Sequence, residues 1–188
     1  MTQHELNLIL LKTNKSKNDF DLFVETGSYL GETLNEIRNN FNKIISIEIT
    51  EKYSNYCKQR YINDKNIEII KGDSLLVLPD LIDKNKNKKF LFFLDAHCSA
   101  GDTGKNDMDV PLIEELKIIN DKCDDEVFII VDDADLFNRK FELLTWEGIN
   151  EKNIFDVVNN RLLYFFHTDD IRNSTKKRLI ILLNAKSN

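Results

Sequence analysis

The chain has 188 residues, 41% of them hydrophobic and 31% charged, with 26 Lys and Arg against 32 Asp and Glu for a net charge of −6. That length suits one domain with a full core, the composition excludes a disordered chain, and an acidic chain matches a phosphate backbone poorly, so nucleic acid is not an expected partner. No apolar run approaches the roughly 20 residues that cross a bilayer, Met1-Thr2-Gln3-His4-Glu5 is not a cationic and apolar leader, and three cysteines without metal-type spacing fit free thiols, so a cytoplasmic protein with no membrane partner is expected.

Residues 1–20 read as an N-terminal helical appendage on a single domain spanning residues 1–188. Leu22-Phe23-Val24, followed by Gly27, reads as a buried strand, and Leu30, Leu34, Ile37 and Phe41 then recur at helical spacing. Ile44 to Ile47 is strand-like, and Tyr53, Tyr56, Cys57 and Tyr61 fit one helix face. Ile67 to Ile70 predicts a third strand, with a short helix around Leu75 to Ile82. Lys84 to Lys89 is a solvated loop before the apolar run Phe90 to Leu94. Pro111 suits the start of a helix carrying Leu112, Leu116 and Ile119, where Glu114 and Glu115 complement the dipole; Val127 to Val131 is a fifth strand. Continuous apolar strands alternating with helices imply a parallel sheet covered on both faces. Leu162 to His167 and Leu179 to Leu183 are separated by too few residues for a crossover helix, so they should form an antiparallel hairpin. The expected fold is α/β, a doubly wound, Rossmann-like mixed sheet of seven strands ending in that C-terminal hairpin.

In such sheets ligands bind beyond the carboxyl ends of the strands. After the first strand comes Glu25-Thr26-Gly27-Ser28-Tyr29-Leu30-Gly31, a turn in which Gly27 allows close backbone approach and a helix N-terminus offers free N–H groups. Glu48, 48 − 27 = 21 residues past Gly27, is placed to take both hydroxyls of a ribose, or to cap a helix. Gly72-Asp73-Ser74 follows the third strand; Asp73 can receive an exocyclic adenine amine or act as an N-cap. Asp95-Ala96-His97 follows the fourth strand and Asp132-Asp133 the fifth. Each of these five strands thus ends in an acid at one sheet edge, which stability does not call for, because like charges repel.

Phe23-Val24-Glu25-Thr26-Gly27, with Gly31 closing the turn, resembles the first motif of class I S-adenosylmethionine-dependent methyltransferases, and Glu48 and Gly72-Asp73-Ser74 match the next two in position. The terminal hairpin and the missing middle glycine of G-x-G-x-x-G separate the chain from a nicotinamide-dependent dehydrogenase. The resemblance implies S-adenosylmethionine as cofactor, held by Glu25, Thr26, Gly27, Ser28, Gly31, Glu48, Asp73, Ser74 and Asp95.

The later acids resemble those of the metal-dependent, macrocin-type sugar O-methyltransferases. That resemblance implies Asp95, Asp132 and Asp133 as ligands of a divalent metal, Mg2+ or Mn2+, and puts the catalytic base on His97, where the family carries an acid. Neighbouring strands lie about 4.8 Å apart, so carboxylates at their tips converge and need a cation, or one must stay protonated. All-oxygen donors favour Mg2+, Mn2+ or Ca2+, and a bound cation would lower the pKa of a substrate hydroxyl. Asp95 and His97 are then the catalytic pair, unless His97 is itself a ligand or a strand-end histidine bonded to a neighbouring acid. The polar loop from Cys98 to Val110 is the candidate substrate lid, with Asp102, Asp107 and Asp109 as acceptors for a polyhydroxylated substrate. Trp146 is either a sugar-stacking ring or a core residue, while His4 and His167 have no evident partner.

The expected activity is methyl transfer from S-adenosylmethionine to a hydroxyl of a sugar or glycoside, assisted by a divalent metal. The alternatives are a metal-independent methyltransferase acting on a small molecule or a protein, and a catalytically silent binding module of the same fold.

Overall fold

Apolar five-residue runs build the centre of the sheet. In the computed structural model, which describes residues 1–96, 110–141, 145–169 and 176–186, they form β1 (Leu22–Thr26), β2 (Ile44–Glu48), β3 (Ile67–Lys71), β4 (Phe90–Leu94) and β5 (Val127–Val131). Two longer strands, β6 (Leu162–Asp169) and β7 (Lys176–Leu183), complete a sheet of order β3-β2-β1-β4-β5-β7-β6 among the described residues. The first five strands are parallel. β7 enters antiparallel between β5 and β6, so the expected hairpin and mixed sheet are both present.

The strand pleat sorts the side chains cleanly between two layers. Leu22, Val24, Phe92, Leu94, Ile129, Val131, Leu179 and Ile181 face one side, packed by α4 (Ser74–Lys84), α5 (Leu112–Lys122) and α6 (Glu151–Val158). Phe23, Leu91, Phe93, Phe128, Ile130, Ile180 and Leu182 face the other, in one cluster with residues of α1 (Gln3–Lys12), α2 (Glu32–Ile37) and α3 (Glu51–Arg60). Burying a side chain of this size contributes about 1.5–3 kcal/mol, so both layers are needed to hold the central strands.

α1 falls within the expected N-terminal helical segment, and its Leu6, Ile9 and Leu10, spaced to share one helix face, are buried in the second layer with Phe20 and Phe128. Two helices differ from the sequence expectation. α2 stops at Ile37, short of Phe41, which is nevertheless buried against Phe23 with ring centroids 5.0 Å apart. α6 was not anticipated; Asn150 caps it, accepting from Asn153 N at 2.9 Å, and it buries Ile154 and Val158. The buried Arg161 then ties the start of β6 to the end of α5, donating to the carbonyls of Asn120, Cys123, Asp125 and Asn184. No helix of the described residues is long and apolar enough to cross a membrane.

Candidate active site

The parallel strands do not simply stop; their hydrogen-bond ladder continues one step past each end. Gly72 N donates to Glu48 O at 2.9 Å, Gly27 N to Ile47 O at 2.9 Å, Asp95 N to Thr26 O at 3.1 Å and Asp132 N to Leu94 O at 3.0 Å. The tips of five adjacent strands are therefore tied into one row, and Gly27, Glu48, Gly72, Asp95 and Asp132 lie along it.

Gly27 lets the row close. Its φ is +86°, and a Cβ there would lie 2.5 Å from Asp95 O, so only glycine permits β1 and β4 to approach this closely. Gly31, at φ +73°, heads the six-residue α2 and is clasped from α3 and its C-cap: a Cβ would meet the Tyr61 ring at 2.8 Å, and Tyr61 Oη donates to Gly31 O at 2.6 Å. Between them Tyr29 has a positive φ of 46° and a half-exposed ring against Tyr53, with centroids 4.6 Å apart.

Glu48 joins this turn to the next strand. Oε2 accepts from Tyr29 N at 2.9 Å and Oε1 from Thr50 N at 2.7 Å, so it holds the turn and also braces the entry to α3. Each carboxylate oxygen accepts more than one hydrogen bond, which leaves capacity for a pair of ligand hydroxyls. Asp73 is the N-cap of α4, with Oδ1 accepting from Leu75 N at 2.9 Å. The side chains of Thr26, Ser28 and Ser74 are buried, as is Glu25, which lies beneath the turn. Ser46 Oγ donates to Glu25 Oε2 at 2.5 Å and lies 2.6 Å from Ser28 Oγ. Glu25, Ser46 and Ser28 thus form one buried hydrogen-bonded group that reaches the turn at Ser28.

Burial dominates the electrostatics. It pushes the Glu25 carboxyl up to about 8, with the Ser46 hydroxyl opposing the rise. Asp95 is raised well above the ordinary carboxyl range by burial and by the Asp132 and Glu25 charges beside it. Glu115 stands in the first turn of α5. It is buried and pushed up by that burial to about 7, next to Ser74 and Thr26. With Asp95, Asp132 and Trp146 it lines a small hollow behind the strand tips. Trp146 is 2% exposed and packs on Phe137, so it is a core ring rather than a stacking surface.

The acid pair after β5 departs from the metal-ligand expectation. Arg178 of β7 places Nε 3.2 Å from Asp132 Oδ1 and Nη2 3.5 Å from Oδ2, and Nη1 donates to Glu5 Oε1 of α1 at 2.9 Å. Lys177 Nζ lies 3.7 Å from Asp132 Oδ1 and directly contacts Asp133 Oδ1. Among the described residues no group of three His, Cys, Asp or Glu is placed to hold a metal ion. Asp95 lies near enough to Asp132 to feel its charge, but protein cations already sit against Asp132 and Asp133, so the donor set as arranged does not fit a divalent ion.

A larger cleft, of about 540 Å3, opens at the same sheet edge beyond β5. Asp135, Phe137, Arg139, Asn150 and Glu151 line it, together with His167, whose Nε2 is 2.7 Å from Glu151 Oε1. His167 thus has a partner that sequence reasoning missed, because the pair joins β6 to the unanticipated α6. His97, Cys98 and the loop acids Asp102, Asp107 and Asp109 lie outside the described residues.

No family model and no curated protein matches the sequence. Solved structures do match in fold. A candidate caffeoyl-CoA O-methyltransferase from Staphylococcus aureus is 16% identical, with 98% of this chain and 85% of that one covered at a TM-score of 0.62. The N-methyltransferase NodS from Bradyrhizobium japonicum, in complex with S-adenosyl-L-homocysteine, is 10% identical over 98% and 88% of the two chains, with a TM-score of 0.59. Spermidine synthase from Thermotoga maritima is 16% identical over 90% of this chain and 55% of its own, with a TM-score of 0.54. The chain has the class I methyltransferase fold, an architecture shared by proteins named for different group transfers.

Proposed function

We propose that the protein is an S-adenosylmethionine-dependent methyltransferase acting on a hydroxyl, with a sugar or glycoside as acceptor. The observation that carries this reading is the cradle at the strand tips. Gly27 lets the backbone of the turn pass against Asp95 O, where any side chain would clash, and Glu48 on the adjacent strand keeps acceptor capacity for a ribose. Asp73 stands one strand further along. These residues fit the cofactor: the Gly27 to Gly31 turn would face its amino-acid portion, Glu48 its ribose and Asp73 its base.

When bound, the cofactor supplies an electrophilic methyl group on a sulfonium. The chain's own residues then have three tasks. The strand-tip row aligns the two reactants, which accounts for a large share of such a rate acceleration. Asp95, held towards its neutral form by burial and the acids beside it, limits the negative charge at the row. The cleft beyond β5 is lined by Asp135, Asn138, Arg139, Asn150, Glu151, Lys152 and His167 with Phe137, many hydrogen-bonding groups of both charges and one ring, a lining that a polyhydroxylated acceptor can use. Metal assistance is not part of this reading, because Asp132 and Asp133 are already ion-paired.

The test is transfer of labelled methyl from S-adenosylmethionine to a panel of glycosides and simple alcohols. Label recovered on a glycoside hydroxyl is the expected result. Label appearing only on amines or protein would replace the acceptor class while leaving the cofactor in place.

A further inference from the structure

We infer that Lys177 and Arg178 of β7 occupy the place between the strand-tip acids where a divalent cation would otherwise sit, so that this site works with a built-in cation pair in place of a metal. The inference concerns the acids after β5 and does not depend on the acceptor proposed above.

The arrangement follows from strand register. β5 and β7 pair antiparallel with Val131 opposite Leu179. Continuing that register one residue sets Asp132 opposite Arg178, and a second residue sets Asp133 opposite Lys177. Opposite charges facing each other across an antiparallel pair are mutually stabilising. The side chains use that placement: the Arg178 guanidinium lies along the Asp132 carboxylate, and the Lys177 ammonium bridges Asp132 and Asp133.

Arg178 is deeply placed. The side chain of Arg178 is 6% exposed and that of Asp132 9%, and the guanidinium is further held by Glu5 of α1 at 2.9 Å. Arg178 therefore cannot swing aside without depriving two acids, Asp132 and Glu5, of their buried cation, leaving Asp132 only the more distant Lys177. A divalent ion bound by Asp132 and Asp133 needs their oxygens within about 2.0–2.6 Å. It would then lie against an ammonium and a guanidinium that already contact the same oxygens. Lys177 differs in being a quarter exposed, so it is the cation presented to solvent at this end of the row.

The experiment is a Mn2+ titration of the full chain, following the loss of the free-ion EPR signal, with Mg2+ checked by thermal shift. The wild type is expected to take up no stoichiometric Mn2+ and to show no shift in Tm. Lys177→Ala is expected to gain Mn2+ uptake that Lys177→Ala/Asp133→Asn loses. Lys177→Gln serves as a second variant in case the alanine form is poorly folded, which circular dichroism would reveal. Stoichiometric uptake by the wild type that Asp133→Asn abolishes would overturn the inference, as would folded Lys177 variants that gain nothing. S-Adenosylhomocysteine calorimetry on the same samples reports the cofactor site separately, so its failure is distinguishable from failure here.

Discussion

Arg178 on β7 and Asp132 at the tip of β5 face each other with Nε 3.2 Å from Oδ1, and both side chains are almost wholly out of water. The same guanidinium reaches Glu5, so one buried cation links the N-terminal helix, the hairpin and the end of a central strand. Partial burial would raise the Glu5 carboxyl, but the Thr2 backbone N–H and the Arg178 charge outweigh it and hold Glu5 below its ordinary range.

Removing one partner from a buried pair leaves an uncompensated charge, at a cost of about 3–5 kcal/mol. Arg178→Met should therefore lower stability by that amount in urea titration. Arg178→Met with Asp132→Asn should recover part of the loss, because the two changes act on one interaction. Strict additivity would show that the pair is not coupled.

Gly27→Ala adds a Cβ 2.5 Å from Asp95 O at a positive φ. The strain and the clash should cost at least about 2 kcal/mol and open the gap between the tips of β1 and β4. Gly148→Ala provides the comparison, since its φ of +84° carries the same backbone strain but nothing lies within 4 Å of the added Cβ. Denaturant midpoints should fall further for Gly27→Ala than for Gly148→Ala, and affinity for S-adenosylhomocysteine should fall only for the former.

The buried acids give stability a definite pH dependence. Glu25 titrates near 8 and Glu115 near 7 in the folded chain, against an ordinary value of 4.5, in each case chiefly because burial disfavours the charged form. The folded state thus binds more protons than the unfolded state between 4.5 and those values, so stability falls as pH rises through that window. Each group contributes a slope of at most about 1.4 kcal/mol per pH unit. Glu25→Gln should flatten the curve up to about pH 8 and Glu115→Gln up to about pH 7. An unchanged slope in both variants would refute the assignment.

Much of this architecture was readable from the chain. Phe90–Leu94 and Val127–Val131 are unbroken apolar runs, and such runs alternating with helices point to a parallel sheet covered on both faces. The hairpin followed from the short spacing of its strands, and the row of strand-end acids from their positions. Other features needed the third dimension. The meeting of Asp132 with Arg178 depends on the register of β5 against β7, and the resemblance to a metal-binding acid pair carries no information about cations 46 residues away. His167 met Glu151 only once α6 existed. That helix was legible in principle from Asn150 as a cap and Ile154 and Val158 four apart, but the pattern is only eight residues long. The depth of Glu25 was hidden because sequence places it in the turn, whereas the pleat turns its side chain below it, towards Ser46.

Glu48 separates the two uses of its carboxylate. Glu48→Gln keeps the shape but replaces one acceptor oxygen with an amide, opposing either Tyr29 N or Thr50 N. Losing a charge-assisted bond to a ligand hydroxyl costs about 1.5–3 kcal/mol, so affinity for S-adenosylhomocysteine should fall roughly 10- to 100-fold. A stability loss with unchanged affinity would make Glu48 a brace for the turn alone.

The cofactor site itself is tested most directly by calorimetry of the wild-type chain with S-adenosylhomocysteine, repeated on Glu48→Ala. One binding event per chain, strongly weakened in the variant, is the predicted result. No heat at high protein concentration, or the same affinity in both proteins, would contradict a cofactor held at the tips of β1 and β2.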